Sequence, residues 1–239
     1  MFLLTKKKIY IDQATMVAEW ILNNGIVTTE GAVYDGIMAP SCTIGQIEVS
    51  YSAGMTAGAF SYLYQATLNP KYIALAGAIF TRSVGLFTKD YVWVDSCEAS
   101  TTAPCALDSS QPKGTAIIGF MYFYKQTKDQ VAKALLKRIT ETSAASMLTL
   151  CDSHYSCPNI WMSTSPAKQP TSFHSQLTAT ALMNSVIVVD IGYSLAVNSI
   201  IPSLPPTGSP NAPTQSSESP NHLGWFAYFG SLVATCLLL

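Results

Sequence analysis

Charge is the first thing this sequence is short of. Asp, Glu, Lys and Arg make up only 11% of its 239 residues, and 13 basic against 14 acidic residues leave a net charge of −1. Ordinary globular proteins carry about 25%. The basic residues never gather into a field, which excludes an electrostatic hold on a nucleic-acid backbone. The familiar catalytic signatures are absent as well. There is no GxSxG, no HExxH, no GxxxxGK followed by Ser or Thr, and no GxGxxG, so serine-hydrolase, zincin, nucleotide-phosphate and dinucleotide chemistry are disfavoured and no cofactor is implied. No Asn-x-Ser/Thr sequon occurs, and nowhere do two aspartates stand side by side.

What is present is apolar: 49% of the chain. The end of the chain is set apart from the rest. From Pro202 to Pro220, 13 of 19 residues are Pro, Ser or Thr, a composition that buries too little apolar surface to offset its ordering entropy. A disordered stalk is expected there. The apolar run Leu223 to Leu239 follows, 17 residues against the roughly 20 that a spanning helix needs, with no basic flank. A polar spacer before a terminal hydrophobic tail is the layout of a GPI-attachment signal; a tail-anchored helix is the competing reading. The expected organisation is a folded domain over 1–195, a linker over 196–222 and a GPI-signal tail over 223–239. That tail implies export, yet Lys6, Lys7 and Lys8 follow an apolar start of only four residues, which is the wrong order for a secretory signal.

Before the stalk the apolar spacing predicts six helices and no strand series. The first covers about Ile9 to Asn24, stopped by Gly25. The second covers about Ser50 to Thr67, where Ala53, Gly54, Ala57 and Gly58 invite close approach by another helix. The third starts at Asn69-Pro70, a cap followed by proline, and runs to about Leu86. The fourth, about Gly114 to Gln126, is apolar nearly all round and is expected to be buried. Thr127-Lys128-Asp129-Gln130 reads as a capping box opening the fifth. The sixth runs from about Phe173 to Asp190. Short turns at one end and long, chemically rich loops at the other predict an all-α toroid or solenoid with its site on the long-loop side.

Those long loops hold the cysteines and the unexplained carboxylates. Cys97 with Cys105 and Cys151 with Cys157 close short loops, which suits disulfides outside the cell. Zinc is the alternative, opposed by the lack of CxxC spacing and by histidines far apart in sequence. Cys236 falls in the tail, so Cys42 is expected to be unpaired. Carboxylates stand among aromatics: Asp35 after Tyr34, Glu48 with Tyr51, Trp93 with Asp95 and Glu98, and Asp152 with Trp161. Sugar chemistry uses this mixture, because glycosidic cleavage needs two carboxyl groups and pyranose rings stack on aromatic faces. Asp35, Glu48, Tyr51, Trp93, Asp95, Glu98 and Trp161 are therefore candidate substrate contacts. Each also has a structural reading: Asp35 bracing a turn, Glu48 capping a helix, Asp95 and Glu98 holding the Cys97 loop, Trp161 in the core.

VYDG at Val33 to Gly36, Cys42-Thr43, IEVSYSAGMTAGAFSYLY at Ile47 to Tyr64, Cys97-Glu98 with Cys105, Lys113-Gly114, Cys151 with Cys157 and Trp161, and HSQLTATALMN at His174 to Asn184 follow one another along the chain. In these the sequence resembles fungal members of glycoside hydrolase family 76, the endo-1,6-α-mannanases, and among them the GPI-anchored cell-wall type. The resemblance implies an (α/α)6 toroid, hydrolysis or transfer on α-1,6-mannose chains or GPI glycans, and a place on the outer face of the membrane or in the wall. It also implies a catalytic pair of adjacent aspartates upstream of all the matched pieces. The chain has no such pair, so no catalytic residue is assigned. Six helices are half of what a closed toroid of this kind takes. Together with the unpaired Cys42 and the absent leader, this predicts an incomplete toroid, with Cys42 pairing to a cysteine in the missing part. A non-catalytic, wall-anchored glycan-binding or structural protein is the alternative function.

Overall fold

A computed structural model describes residues 5–99, 112–162 and 171–190. The described residues form α1 (Lys8–Asn23), β1 (Ile37–Met38), β2 (Thr43–Ile44), α2 (Ser50–Thr67), α3 (Pro70–Phe87), β3 (Thr88–Lys89), β4 (Val92–Trp93), a 3-10 turn (Ser96–Ala99), α4 (Pro112–Gln126), α5 (Gln130–Leu148) and α6 (Phe173–Asp190). The stalk, the tail and Cys105 lie outside the described residues. The chain divides into two compact units. The larger carries all six helices. The smaller is described only over the turn of residues 38–43, where the Ser41 hydroxyl sits 2.8 Å from that of Thr43 and the Ala39–Pro40 peptide bond is cis.

Local chemistry accounts for most helix ends. α1 stops as Gly25 takes a left-handed conformation (φ +70°), and the Ile26 N–H reaches back to the Ile21 carbonyl at 3.0 Å while Gly25 N–H reaches Leu22. Asn69 caps α3 by accepting from Lys71 N–H at 3.0 Å, with Pro70 at the first helical position. The expected capping box at Thr127 is displaced. Asp129 is the cap, its Oδ1 accepting from both Val131 and Ala132 N–H, because a carboxylate at the positive helix end is the stronger acceptor; Thr127 only braces Asp129 N–H. α2 ends on Leu68, which is 75% exposed and left-handed (φ +58°) with no glycine to relieve it. Replacing Leu68 by Gly is expected to stabilise the domain by about 1 kcal/mol, roughly 2–4 °C in melting temperature, since the left-handed conformation penalises a Cβ and little packing is lost.

α2, α4 and α6 lie side by side as one row, α3 packs against α2, and α5 packs against α6. The small residues set the spacing. A Cβ on Gly54 would stand 2.3 Å from Ala116 Cα, one on Gly119 would stand 1.9 Å from the Gly54 carbonyl oxygen, and one on Gly114 would stand 2.9 Å from Thr178 Cα. Helix backbones therefore touch directly, as the small-residue stripe predicted. α4, expected to be buried, holds Ala116, Ile117 and Phe120 without any exposure, and Phe120 stacks on Trp93 with ring centres 5.4 Å apart and planes 4° apart. Elsewhere apolar residues face outward: Met16 on α1, Met55 on α2 and Phe173 on α6 are all more than half exposed, and a groove of about 910 Å³ runs between α1 and α2. Among the described residues no helix is long and apolar enough to cross a membrane.

Candidate functional site

The first turns of α2, α4 and α6 open at the same end of the row, where the loops carrying Asp95 and Trp161 fold over them. Ser50 at the start of α2 donates its hydroxyl to Asp95 Oδ1 at 2.5 Å, and Lys113 N–H at the start of α4 faces Asp95 Oδ2 at 3.4 Å. Gln176 in the first turn of α6 donates to the Cys157 carbonyl at 3.0 Å. This is the long-loop end that the sequence pattern singled out. It holds two clusters, one inside and one at the surface.

The inner cluster is built on Lys113, which has no exposure at all. Its ammonium is paired with Glu98 Oε1 and lies 4.1 Å from the centre of the Trp161 ring. Glu98 Oε1 also accepts from Asp95 N–H at 2.9 Å, whereas its other oxygen has no partner. Burial pushes both carboxyl groups above the usual carboxylate range and pulls Lys113 below the usual ammonium range, and their mutual attraction opposes both shifts. Trp93 and Trp161 are 0% and 1% exposed. Trp93 N–H is held by Ser143, the Trp161 indole donates to Pro158, and Ser146 holds the Trp161 carbonyl. Trp93, Asp95, Glu98 and Trp161, expected to contact a sugar, are buried within the domain. The structural readings, a braced loop and a core tryptophan, describe them.

The outer cluster sits directly above. Asp35 is exposed, and its Oδ1 accepts from the Tyr51 hydroxyl and from Ser52 Oγ at 2.9 Å, so a carboxylate rests over the positive end of α2. Tyr51 is 38% exposed; partial burial, and then its bond to Asp35, raise its pKa above that of a free phenol. The VYDG segment is held in place by Asp35 N–H donating to Ile47 and by an isolated bridge between Tyr34 and Glu48. Glu48 does not cap α2, whose cap position is Val49 with no side-chain bond; its carboxylate instead takes a two-pronged bond from Arg82 on α3, at 2.6 and 2.7 Å. Asp152 is tied to the backbone of His154 and Ser156. Of the seven expected contacts, Asp35 and Tyr51 therefore share one exposed site, Glu48 flanks it in an ion pair, and four lie beneath.

Sequence reasoning missed Lys113, Ser50, Ser52 and Arg82. Lys113 had a readable signal, a lone charge opening an apolar helix with unpaired carboxylates upstream. Arg82 had none, since 34 residues separate it from Glu48.

The Cys151–Cys157 disulfide is present, and Cys97 is disulfide-bonded, while its expected partner Cys105 lies outside the described residues. Cys42 corrects the expectation: it too is disulfide-bonded, and no cysteine among the described residues is free.

A sequence model of glycosyl hydrolase family 76 matches residues 1–194. The chain belongs to glycosyl hydrolase family 76. Solved structures share the fold. Dfg5 from Chaetomium thermophilum, determined in complex with glucosamine, superposes with a TM-score of 0.66 at 21% identity, over 78% of this chain and 47% of that one. The GH76A α-1,6-mannanase of Salegentibacter sp. HEL1_6 gives 0.66 at 17% identity, over 79% and 55%. An inactive variant of that mannanase, with two sequence-adjacent aspartates replaced by alanine, was solved with α-1,6-mannotetrose and matches over the same shares, with a TM-score of 0.66 at 18% identity. No curated protein sequence matches the chain. The family-76 fold is thus present here in part: the chain spans about half the length of the solved structures it matches.

Proposed function

We propose that this family-76 chain is one half of an α-1,6-mannan hydrolase or transglycosylase of fungal cell-wall biogenesis, and that as it stands it binds mannose chains without cutting them. The family match over residues 1–194 carries the reading. The geometry supports the binding part, because Asp35, Tyr51 and Ser52 place an exposed carboxylate, a half-exposed ring and a hydroxyl together at the loop end of the helix row. The absence of an adjacent aspartate pair from the sequence supports the second part, since a relative with such a pair replaced is inactive. The open groove along α1 and α2 and the apolar residues exposed beside it favour a toroid that continues past α1. The proposed setting is the outer face of the membrane or the wall, through a GPI anchor added ahead of the tail from Leu223.

A linear α-1,6-mannan tests both parts. The chain is expected to retain on immobilised mannan and to release no reducing ends. Asp35→Ala is expected to weaken retention by about 1.5–3 kcal/mol, the range for a hydrogen bond to a charged group. Released reducing ends would refute the non-cutting reading, and equal retention of native and Asp35→Ala chains would refute the site.

A further inference from the structure

Three buried charges occupy the floor of the exposed site, and their signs do not balance. Asp95 and Glu98 face the single ammonium of Lys113, with exposures of 4% for Asp95 and 0% for Lys113 and with a Glu98 side chain 3% exposed. A dry cluster of two carboxylates and one ammonium becomes neutral only by holding one more proton. The geometry says where that proton goes. Glu98 Oε1 already accepts from Lys113 and from Asp95 N–H, and a proton on its other oxygen would be a buried donor with nothing to bond. A proton on Asp95 Oδ1 has the Ser50 hydroxyl 2.5 Å away.

Asp95 also touches two helices at their first turns, Ser50 on α2 and Lys113 N–H on α4. The next two residues of α2 are Tyr51 and Ser52, both bonded to Asp35. We propose that Asp95, holding one proton, is a positioning residue that ties the starts of α2 and α4 together and so sets Tyr51 and Ser52 against Asp35. Its consequence for sugar rests on the mannan reading above. The tie itself does not.

Few other charges bear on the cluster among the described residues. α3 brings Arg82, already paired with Glu48; α5 brings Ser143 and Ser146; α6 brings Gln176; and the loop that carries Trp161 has only exposed Asp152 and His154, joined to each other. Burial raises the Asp95 carboxyl, so the contribution of the neutral form is complete below the ordinary carboxylate range and is lost as pH rises through the folded value. Above it the floor carries an uncompensated negative charge, and the tie loosens.

The test follows the Tyr51 ring resonance in tyrosine-labelled protein, identified by its loss in Tyr51→Phe, together with the melting temperature from pH 4.5 to 9. In the native chain the Tyr51 signal is expected to move in a one-proton transition while the melting temperature falls over the same interval. Asp95→Asn, neutral at every pH, is expected to show neither change. Persistence of both transitions in Asp95→Asn, or their absence from the native chain, would overturn the proposal. Ser50→Ala serves if Asp95→Asn does not fold: it removes a hydroxyl that donates to the carboxyl and favours its ionised form, so a higher midpoint supports the tie and an unchanged or lower one overturns it. Retention on linear α-1,6-mannan, read at the same pH values, is expected to weaken with the same midpoint by at most about tenfold per pH unit. Retention that ignores pH while Tyr51 titrates would overturn the positioning role for sugar. No retention at any pH, with Tyr51 still following Asp95, would refute the mannan reading and uphold the tie.

Discussion

Replacing Gly119 by Ala is expected to cost about 3 kcal/mol or more, even though alanine is the better helix former by about 1 kcal/mol. The reason is the crossing of α2 and α4. An added methyl at Gly119 would stand 1.9 Å from the Gly54 carbonyl oxygen, which is backbone and has no rotamer to retreat into. The two helices must separate, and the row that places Ser50 beside Lys113 separates with them. Gly85, on α3, is the matched control. Nothing lies within 4 Å of where its methyl would go, so Gly85→Ala is expected to stabilise the domain by up to about 1 kcal/mol. Denaturant unfolding of the two variants checks the pair, and similar effects of the same sign would show that helix propensity, not close approach, governs these positions.

Glu98→Leu is expected to be as damaging, about 3–5 kcal/mol, because it takes from a fully buried ammonium the one carboxylate that bonds it directly. The prediction has a second half that a simple loss of packing would not produce. In the double variant Glu98→Leu/Lys113→Met most of that stability is expected to return, since exchanging both ions for apolar side chains of similar size removes the desolvation penalty along with the attraction. Asp95 is then left without a cation, and it stays neutral against Ser50. Additive losses in the double variant, measured by the same unfolding curves, would mean that Lys113 and Glu98 stabilise the loop independently.

How much of this was written in the sequence depends on the range of the interaction. α2 and α6 begin and end where the apolar spacing places them, because their limits rest on neighbours within one or two turns. The Asn69-Pro70 start is legible for the same reason. Asp129 shows the limit of that reasoning: two acceptors stood within one turn, and only their geometry against Val131 and Ala132 decides between them. The seven candidate contacts lie at one end of the helices, yet composition could not separate the surface from the floor. Trp161 is inside because it covers Lys113, and Lys113 lies 48 positions earlier in the sequence, so no local pattern links them. Asp35 is outside because its partners are the hydroxyls of Tyr51 and Ser52 on the solvent side of α2. Depth in the structure follows from such long-range pairs.

The separation of floor from surface is also what a ligand reads most directly. Titrating α-1,6-mannotetrose into isotope-labelled chain and mapping the perturbed resonances is expected to move the Tyr51 ring and the amides of residues 50–52 while leaving the indole N–H signals of Trp93 and Trp161 in place. Movement of the two indoles with Tyr51 unchanged, or no movement anywhere at saturating sugar, would contradict the account.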